Sequence, residues 1–166
     1  AMPRPLRYIY INLYNNNLTD AGMEAIARGM RGEFSQLRQV HVHGNEIGDA
    51  GFAALAAALP PTLKDLDMST NQCGDVGMVA VVEALSRCTE LDHLDFHLNR
   101  VGAAGFAALA EVLPRCPNLK QLLAYMNPGS ADALALVVIK ALEADFAFNK
   151  VDCYDIGLSE AVHQQL

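Results

Sequence analysis

No apolar run in the 166 residues approaches the ~20 needed to cross a bilayer, which argues against a membrane-spanning protein. Basic residues are scarce: 12 Lys and Arg stand against 19 Asp and Glu, a formal net charge of −7. Nucleic acids and anionic membranes need a basic face, so neither is an expected partner. Cysteine is present only as Cys73, Cys88, Cys116 and Cys153, and none of them forms a Cys-x-x-Cys pair. The usual zinc and redox spacings are therefore absent. There is neither a P-loop nor a dinucleotide fingerprint, and no cofactor is expected. The opening Ala1-Met2-Pro3-Arg4-Pro5 has no apolar signal region. The expectation is a cytoplasmic chain with reduced thiols.

What the chain has is a unit that recurs. Leu37 to Leu59 and Leu91 to Leu113 are two copies of it. Others run from Leu63 to Leu85 and from Tyr8 to Met30, and a weaker one begins at Leu119. Asn16, Asn45, Asn71, Asn99 and Asn127 mark the same point in each, at spacings of 29, 26, 28 and 28 residues. Such a period is the signature of a stacked solenoid. The length changes fall in the links, Arg31 to Gln36 and Pro60 to Thr62, where they cost least.

Each copy opens on an alternating run. Leu63, Leu66 and Met68 point inward in the third, and Asp65, Asp67 and Ser69 outward, which predicts a strand. After the Asn and a tight turn comes a helix with apolar residues at i, i+3, i+4 and i+7. These are Met23, Ile26, Ala27 and Met30; Phe52, Leu55, Ala56 and Leu59; Met78, Val81, Val82 and Leu85; Phe106, Leu109, Ala110 and Leu113. The fifth helix offers Leu134, Val137, Val138 and Ala141. Asp20, Asp49 and Asp75 fall where a cap or first-turn carboxylate favours a helix. The glycines of the strand-to-helix turns are expected to supply turn geometry rather than a phosphate cradle. The recurring asparagines are expected to be buried and to pair backbone groups of the turns.

One strand–helix unit cannot bury its own apolar face, so the units must stack. Strands ~4.8 Å apart against helices ~8–10 Å apart curve the stack, with a parallel sheet on the concave side and helices on the convex side. The predicted organisation is a single domain, 1–166. Its repeats are about 6–36, 37–62, 63–90, 91–118 and 119–143, with a degenerate unit and cap at 144–166. No comparable cap precedes Tyr8, which makes the open first repeat a candidate surface for self-association.

The pattern Leu-x-x-Leu-x-Leu-x-x-Asn-x-Ile-Gly-Asp-x-Gly, followed by an Ala- and Leu-rich helix, resembles the leucine-rich repeat. Its period is similar to that of the ribonuclease-inhibitor-type class. The resemblance covers residues 6–142, and Gly22, Gly51, Gly77 and Gly105 recur within it. It implies a horseshoe α/β solenoid that binds other proteins on its concave sheet and strand-end loops. Members include ribonuclease inhibitors, Ran GTPase-activating proteins, tropomodulins and the sensor halves of NOD-like receptors. The inhibitors and GTPase activators carry more repeats than this chain, and no arginine stands where a catalytic finger is defensible.

The outward strand positions carry the functional signal, because packing does not dictate them. In order they are Tyr10, Asn12 and Tyr14; Gln39, His41 and His43; Asp65, Asp67 and Ser69; His93, Asp95 and His97; Gln121, Leu123 and Tyr125. Four of the chain's five histidines lie here, beside three aspartates. The expectation is a protein-recognition face with aromatic ends on a non-enzymatic interaction module or scaffold. Three rival readings stand beside it. One is a small-GTPase regulator resembling the Ran activators. The second is a divalent-metal site built from His41, Asp67 and His93 with Asp95 near. The third is hydrolase chemistry at Ser69 between His43 and His97, with Asp67 or Asp95 close by. Neighbouring aspartates are expected to raise the histidine pKa values.

Overall fold

The computed structural model describes residues 9–30, 36–129, 133, 135–137, 139–140 and 150–152. In chain order the elements are β1 (Ile9–Asn12), α1 (Asp20–Met30), β2 (Leu37–His41), α2 (Asp49–Ala58), β3 (Asp65–Asp67) and α3 (Asp75–Leu85). There follow β4 (His93–Asp95), α4 (Ala103–Val112), a 3-10 turn (Leu113–Arg115), β5 (Gln121–Leu123) and β6 (Lys150–Asp152). The strands make one parallel sheet in sequence order, and each helix packs on the next. Among the described residues no helix is long and apolar enough to cross a membrane.

Register follows the repeat. Val40, Leu66, Leu94 and Leu122 pair across β2 to β5, and all four are fully buried. The helical faces arrive where the i, i+3, i+4 pattern predicts, with Phe52, Met78 and Phe106 fully buried. Burying side chains of this size contributes about 1.5–3 kcal/mol each. Ile26 is only half-buried, as are Leu13 and Leu18. Val137 of the fifth helix is buried as expected, whereas Leu134, Val138 and Ala141 lie outside the described residues. So do the residues before Ile9, on which the open-end expectation rests, and most of the proposed cap. Within that cap, β6 continues the sheet as a sixth strand beside β5.

The asparagines form the first of two ladders between repeats. Asn45 accepts the Asn16 and Leu18 N–H groups and donates to the Leu13, Val42 and His43 carbonyls. Asn71, Asn99 and Asn127 repeat this one unit further on, and the four are only 7–9% exposed. Asn16 is exposed, contrary to expectation; its side chain holds only the Tyr14 carbonyl.

The residue before each anchor is left-handed: Asn15, Gly44, Thr70, Leu98 and Met126 have φ between 52 and 69°. A residue other than Gly or Asn there costs about 1–2 kcal/mol, and only Asn15 and Gly44 announce the position in the sequence.

The second ladder bears out the first-turn position of the aspartates and adds a role between repeats. Asp20, Asp49 and Asp75 occupy the first turns of their own helices, but each carboxylate serves the following helix. Asp20 Oδ1 accepts the Gly48 and Gly51 N–H groups at 2.6 and 3.0 Å. Asp49 does the same for Gly74 and Gly77, and Asp75 for Gly102 and Gly105. Each helix N-terminus is thereby capped from the previous repeat, where its unpaired N–H groups and positive end favour an anion.

The same contact explains the glycines, which the sequence reading assigned to turn geometry. Gly48, Gly74 and Gly102 have φ near −100°, which any residue adopts. A Cβ on Gly51 would lie 2.7 Å from Asp20 Oδ1, and one on Gly105 2.9 Å from Asp75 Oδ1. Ile47 and Val101 of the same repeat come closer still, at 2.6 Å, so Gly51 and Gly105 are glycines because their own turn and the preceding repeat together leave no room for a side chain.

The ladder changes character in the fifth repeat. Ala103 has no carboxylate, and the next turn reads Asn127-Pro128-Gly129. Pro128 has no N–H to donate, so Gly129 makes the bond to the Val101 carbonyl instead.

Candidate functional site

Strand alternation places the non-core residues of β1 to β5 in three rows on the concave face. One row is Tyr10, Gln39, Asp65, His93 and Gln121. The next is Asn12, His41, Asp67, Asp95 and Leu123. Just past the strands, backbone bonds from Asn15, Gly44, Thr70 and Leu98 keep Tyr14, His43, Ser69, His97 and Tyr125 in step as a third. The structure thus brings all fifteen predicted positions onto one surface. Two of them are not open to solvent: Ser69 is 3% exposed and Asp95 5%. Ser69 bonds to Asp67 and Asp95 to His97, each a residue of the adjoining row.

Asp65 is the hub. His41 Nε2 lies 3.0 Å from Asp65 Oδ2, and His93 Nδ1 lies 2.8 Å from Asp65 Oδ1. Tyr10 Oη is 2.9 Å from His41 Nδ1, so the chain Tyr10–His41–Asp65–His93 spans four strands. Burial pushes the Asp65 carboxyl up, but the hydrogen bonds from His93 and His41 together outweigh it and hold it below its ordinary value. An ionised carboxylate only accepts, so both imidazoles donate to it. His41 Nδ1, when the ring is neutral, then accepts from the Tyr10 hydroxyl. His93 is held above its ordinary value, first by the Asp65 hydrogen bond, which outweighs burial, and by the charges of Asp65, Asp95 and Asp67. The expectation of raised histidines is met there.

Two smaller pairs flank the hub. His43 Nδ1 lies 2.8 Å from Asp67 Oδ2, a close polar contact without hydrogen-bond alignment. His97 Nδ1 is 2.6 Å from Asp95 Oδ1, two residues back on its own chain. Burial pushes the Asp95 carboxyl above its ordinary value, against the hydrogen bonds from His97. Each histidine also stacks on a tyrosine. Tyr14 lies over His43 with ring centroids 5.2 Å apart, and Tyr125 over His97 at 4.3 Å.

This wiring decides against two of the rival arrangements. His41 and His93 do converge, but on the carboxylate of Asp65 rather than on a space shared with Asp67. Among the described residues no group of three or more His, Cys, Asp or Glu could hold a metal ion. Ser69 Oγ donates to Asp67 Oδ1 at 2.7 Å, so its hydroxyl is turned to a carboxylate and not to either histidine base.

The pKa shifts carry a stability prediction. The His93 contribution is complete below its ordinary value of 6.5 and is lost as pH rises through the raised folded value. That of Asp65 is complete above its ordinary 3.8 and is lost as pH falls through the lowered one. Between those limits the pair is at full strength. The melting temperature is therefore expected to be higher at about pH 6 than at about pH 8, and His93→Gln to shrink that difference. Equal pH dependence in the two proteins, measured by calorimetry, would exclude the pair as its source.

The family model described as "Leucine Rich repeat" matches residues 10–27, 36–56 and 60–82. These are leucine-rich repeats. Ribonuclease inhibitor of Sus scrofa is 31% identical over 75 residues, 44% of this chain, which supports the ribonuclease-inhibitor type. The matched stretch covers only 16% of that inhibitor. Among solved structures, the leiomodin-1 actin-binding site 2 superposes with a TM-score of 0.64 at 16% identity, covering 84% of this chain and 80% of that one. An internalin from Listeria monocytogenes gives 0.50 at 17% identity, covering 84% and 35%. Both share the leucine-rich repeat fold.

The cysteines belong to the leucine-rich repeat core. Cys73, Cys88 and Cys116 are buried free thiols, and burial pushes Cys88 and Cys116 up to about 11 and Cys73 further. Thiols so hard to ionise are poor nucleophiles. Cys153 lies outside the described residues.

One charged network escaped the sequence reading. Glu90 Oε2 meets Arg38 Nη1 at 2.6 Å and Lys64 Nζ at 3.4 Å, along the opposite rim of the leucine-rich repeat sheet. Its signal was available: the residue after the first leucine of each repeat is Arg38, Lys64, Asp92 and Lys120, charged every time.

Proposed function

We propose that this leucine-rich repeat module binds a partner protein on its concave face and acts as an interaction scaffold. The observation that carries this is the hydrogen-bonded Tyr10–His41–Asp65–His93 array with its flanking tyrosine–histidine stacks. Its polar side chains are held in place before any partner arrives, which reduces the entropy cost of association. Tyr10 and Tyr14 stand 46% and 51% exposed at one end, large rings of the kind that anchor interfaces. The fold likeness to a leiomodin-1 segment titled an actin-binding site fits a binding module and names no partner for this chain.

The test is affinity capture from the source cells with wild type and with a His41→Gln, His97→Gln double variant. Both side chains point away from the core, so the variant should fold. A partner retained by wild type and lost by the variant is the expected result. Equal retention by both would move the interface off this face, to the strand-end loops or the first repeat.

A further inference from the structure

In the middle of the concave face the side-chain donors are turned onto the face's own carboxylates. On β2 to β4 and just past them, six outward side chains can donate: Gln39, His41, His43, Ser69, His93 and His97. Gln39, His41 and His93 all donate to Asp65. Ser69 donates to Asp67 and His97 to Asp95, while His43 sets Nδ1 against Asp67. An ionised carboxylate offers no donor in return. Apart from a second N–H on Gln39, these strands are left with acceptors.

Those acceptors reach solvent. His43, His93 and His97 each turn Nδ1 to an aspartate, and none of their Nε2 atoms bonds to a described residue. The same holds for Asp95 Oδ2, since His97 takes only Oδ1. Among the described residues, the one buried side-chain nitrogen or oxygen without a partner is His43 Nδ1, so these four atoms are open. With its proton held at Nδ1, a neutral imidazole shows a bare lone pair at Nε2.

Charge points the same way. The fifteen outward positions contain three aspartates and no lysine or arginine. The cations around them stand on the rim or beyond β4. Arg38 and Lys64 are held by Glu90. Lys120 shares a hollow of about 290 Å³ with Asp65, Asp92, His93 and Gln121, and β6 sets Lys150 and Asp152 in register with Gln121 and Leu123. Resting on the reading that this face binds a protein, we infer that the partner segment seated over β2 to β4 is basic, its lysine or arginine side chains donating to these acceptors, and that acid releases it.

Protonation acts twice. It turns each open Nε2 from acceptor into donor, and four charged histidines take the face from three negative charges to one positive. His41 faces Tyr10, Asp65 and, at 6.2 Å between ring centroids, His43, which in turn faces Tyr14 and Asp67. His97 faces Asp95 and Tyr125. His93 faces Asp65, with Asp95, Asp67 and Lys120 around it. The Asp65 hydrogen bond and those three carboxylates hold His93 above its ordinary 6.5, so release begins on the alkaline side of that value.

The experiment uses the folded chain with nitrogen-labelled histidines, and capped hexalysine, hexaglutamate and a neutral Gly-Ser hexamer as probes. Nuclear magnetic resonance reads the ring tautomers first. At about pH 8, His93 and His97 should carry the proton on Nδ1, and His41 on Nε2. Protons on Nε2 of His93 and His97 would overturn the assignment, and no variant is needed to see them. Hexalysine should bind roughly tenfold more tightly than the neutral hexamer, shift His43, His93 and His97 most, and weaken several-fold at about pH 6. Asp67→Asn should weaken it several-fold. Glu83→Gln with Glu111→Gln, which removes two charges from exposed positions of α3 and α4, should leave it in place. Equal loss in the two variants would reveal a general attraction to an acidic chain and overturn the assignment. Binding unchanged or tighter at pH 6, or a preference for hexaglutamate, would overturn it too, while leaving the concave-face reading intact. That reading fails separately, if the captured partner ignores the His41→Gln, His97→Gln change.

Discussion

Asn71→Ala is expected to lower the unfolding free energy by about 1–3 kcal/mol. Asn71 is buried in the middle of the asparagine ladder. Its Oδ1 accepts the Ile47 N–H at 3.1 Å, and its Nδ2 donates to the Val42, Met68 and Ser69 carbonyls. Alanine leaves the Ile47 N–H without its partner in a place where water enters poorly, and removes one of the two donors on each carbonyl, the others being Asn45 on Val42, Asn99 on Met68 and the Gly44 N–H on Ser69. An unmade buried bond costs far more than a made one contributes. The damage also reaches two repeats, because Ile47 and Val42 belong to the unit before. Urea unfolding should show the midpoint falling; an unchanged midpoint would mean the ladder carries no net stability. The exposed end supplies the control: Asn16→Ala removes only a bond to Tyr14 and should cost under about 1 kcal/mol.

Gly77→Ala is expected to destabilise by about 1–3 kcal/mol although alanine is the better helix former. On propensity alone the change would favour α3 by about 1 kcal/mol. Packing reverses the sign. The new Cβ would sit 2.7 Å from Asp49 Oδ1, 3.0 Å from the Asp49 Cα and 3.0 Å from Cys73 Sγ. One of these is backbone of the previous repeat, so relief requires the helices to part. That in turn stretches the Gly74 and Gly77 bonds to Asp49. Gly29, in α1, meets nothing within 4 Å, and Gly29→Ala should stabilise instead. Opposite signs at Gly77 and Gly29 in thermal unfolding are the expected result; stabilisation at both would show that the repeats are less closely packed than described here.

Much of the fold was legible because a repeat states its pattern several times over. Noise at one position, such as Cys73 where other copies have Ile47 or Val101, is corrected by the rest. The buried helical faces and the strand alternation followed directly. What the sequence concealed were relations between copies. That Asp49 caps the helix of the next repeat cannot be seen in a unit read by itself, since Asp at a helix start has a sufficient local explanation. The left-handed row was hidden for a different reason. Tertiary packing forces Leu98 and Met126 into a conformation their side chains disfavour, against their own propensity. On the candidate face, alternation identified which residues point outward, but not who pairs with whom. Asp65 and Asp67 are chemically alike, and only the register shows that His41 and His93 share the first while His43 meets the second.

The measurement that tests the central claim most directly is the response of the five histidine ring signals to a captured partner. His41, His43, His93 and His97 lie on the concave face, and His163 belongs to the C-terminal segment. Binding is expected to shift or broaden the first four, with His163 affected least. A partner that moves the His163 signal while leaving the other four in place would contradict it.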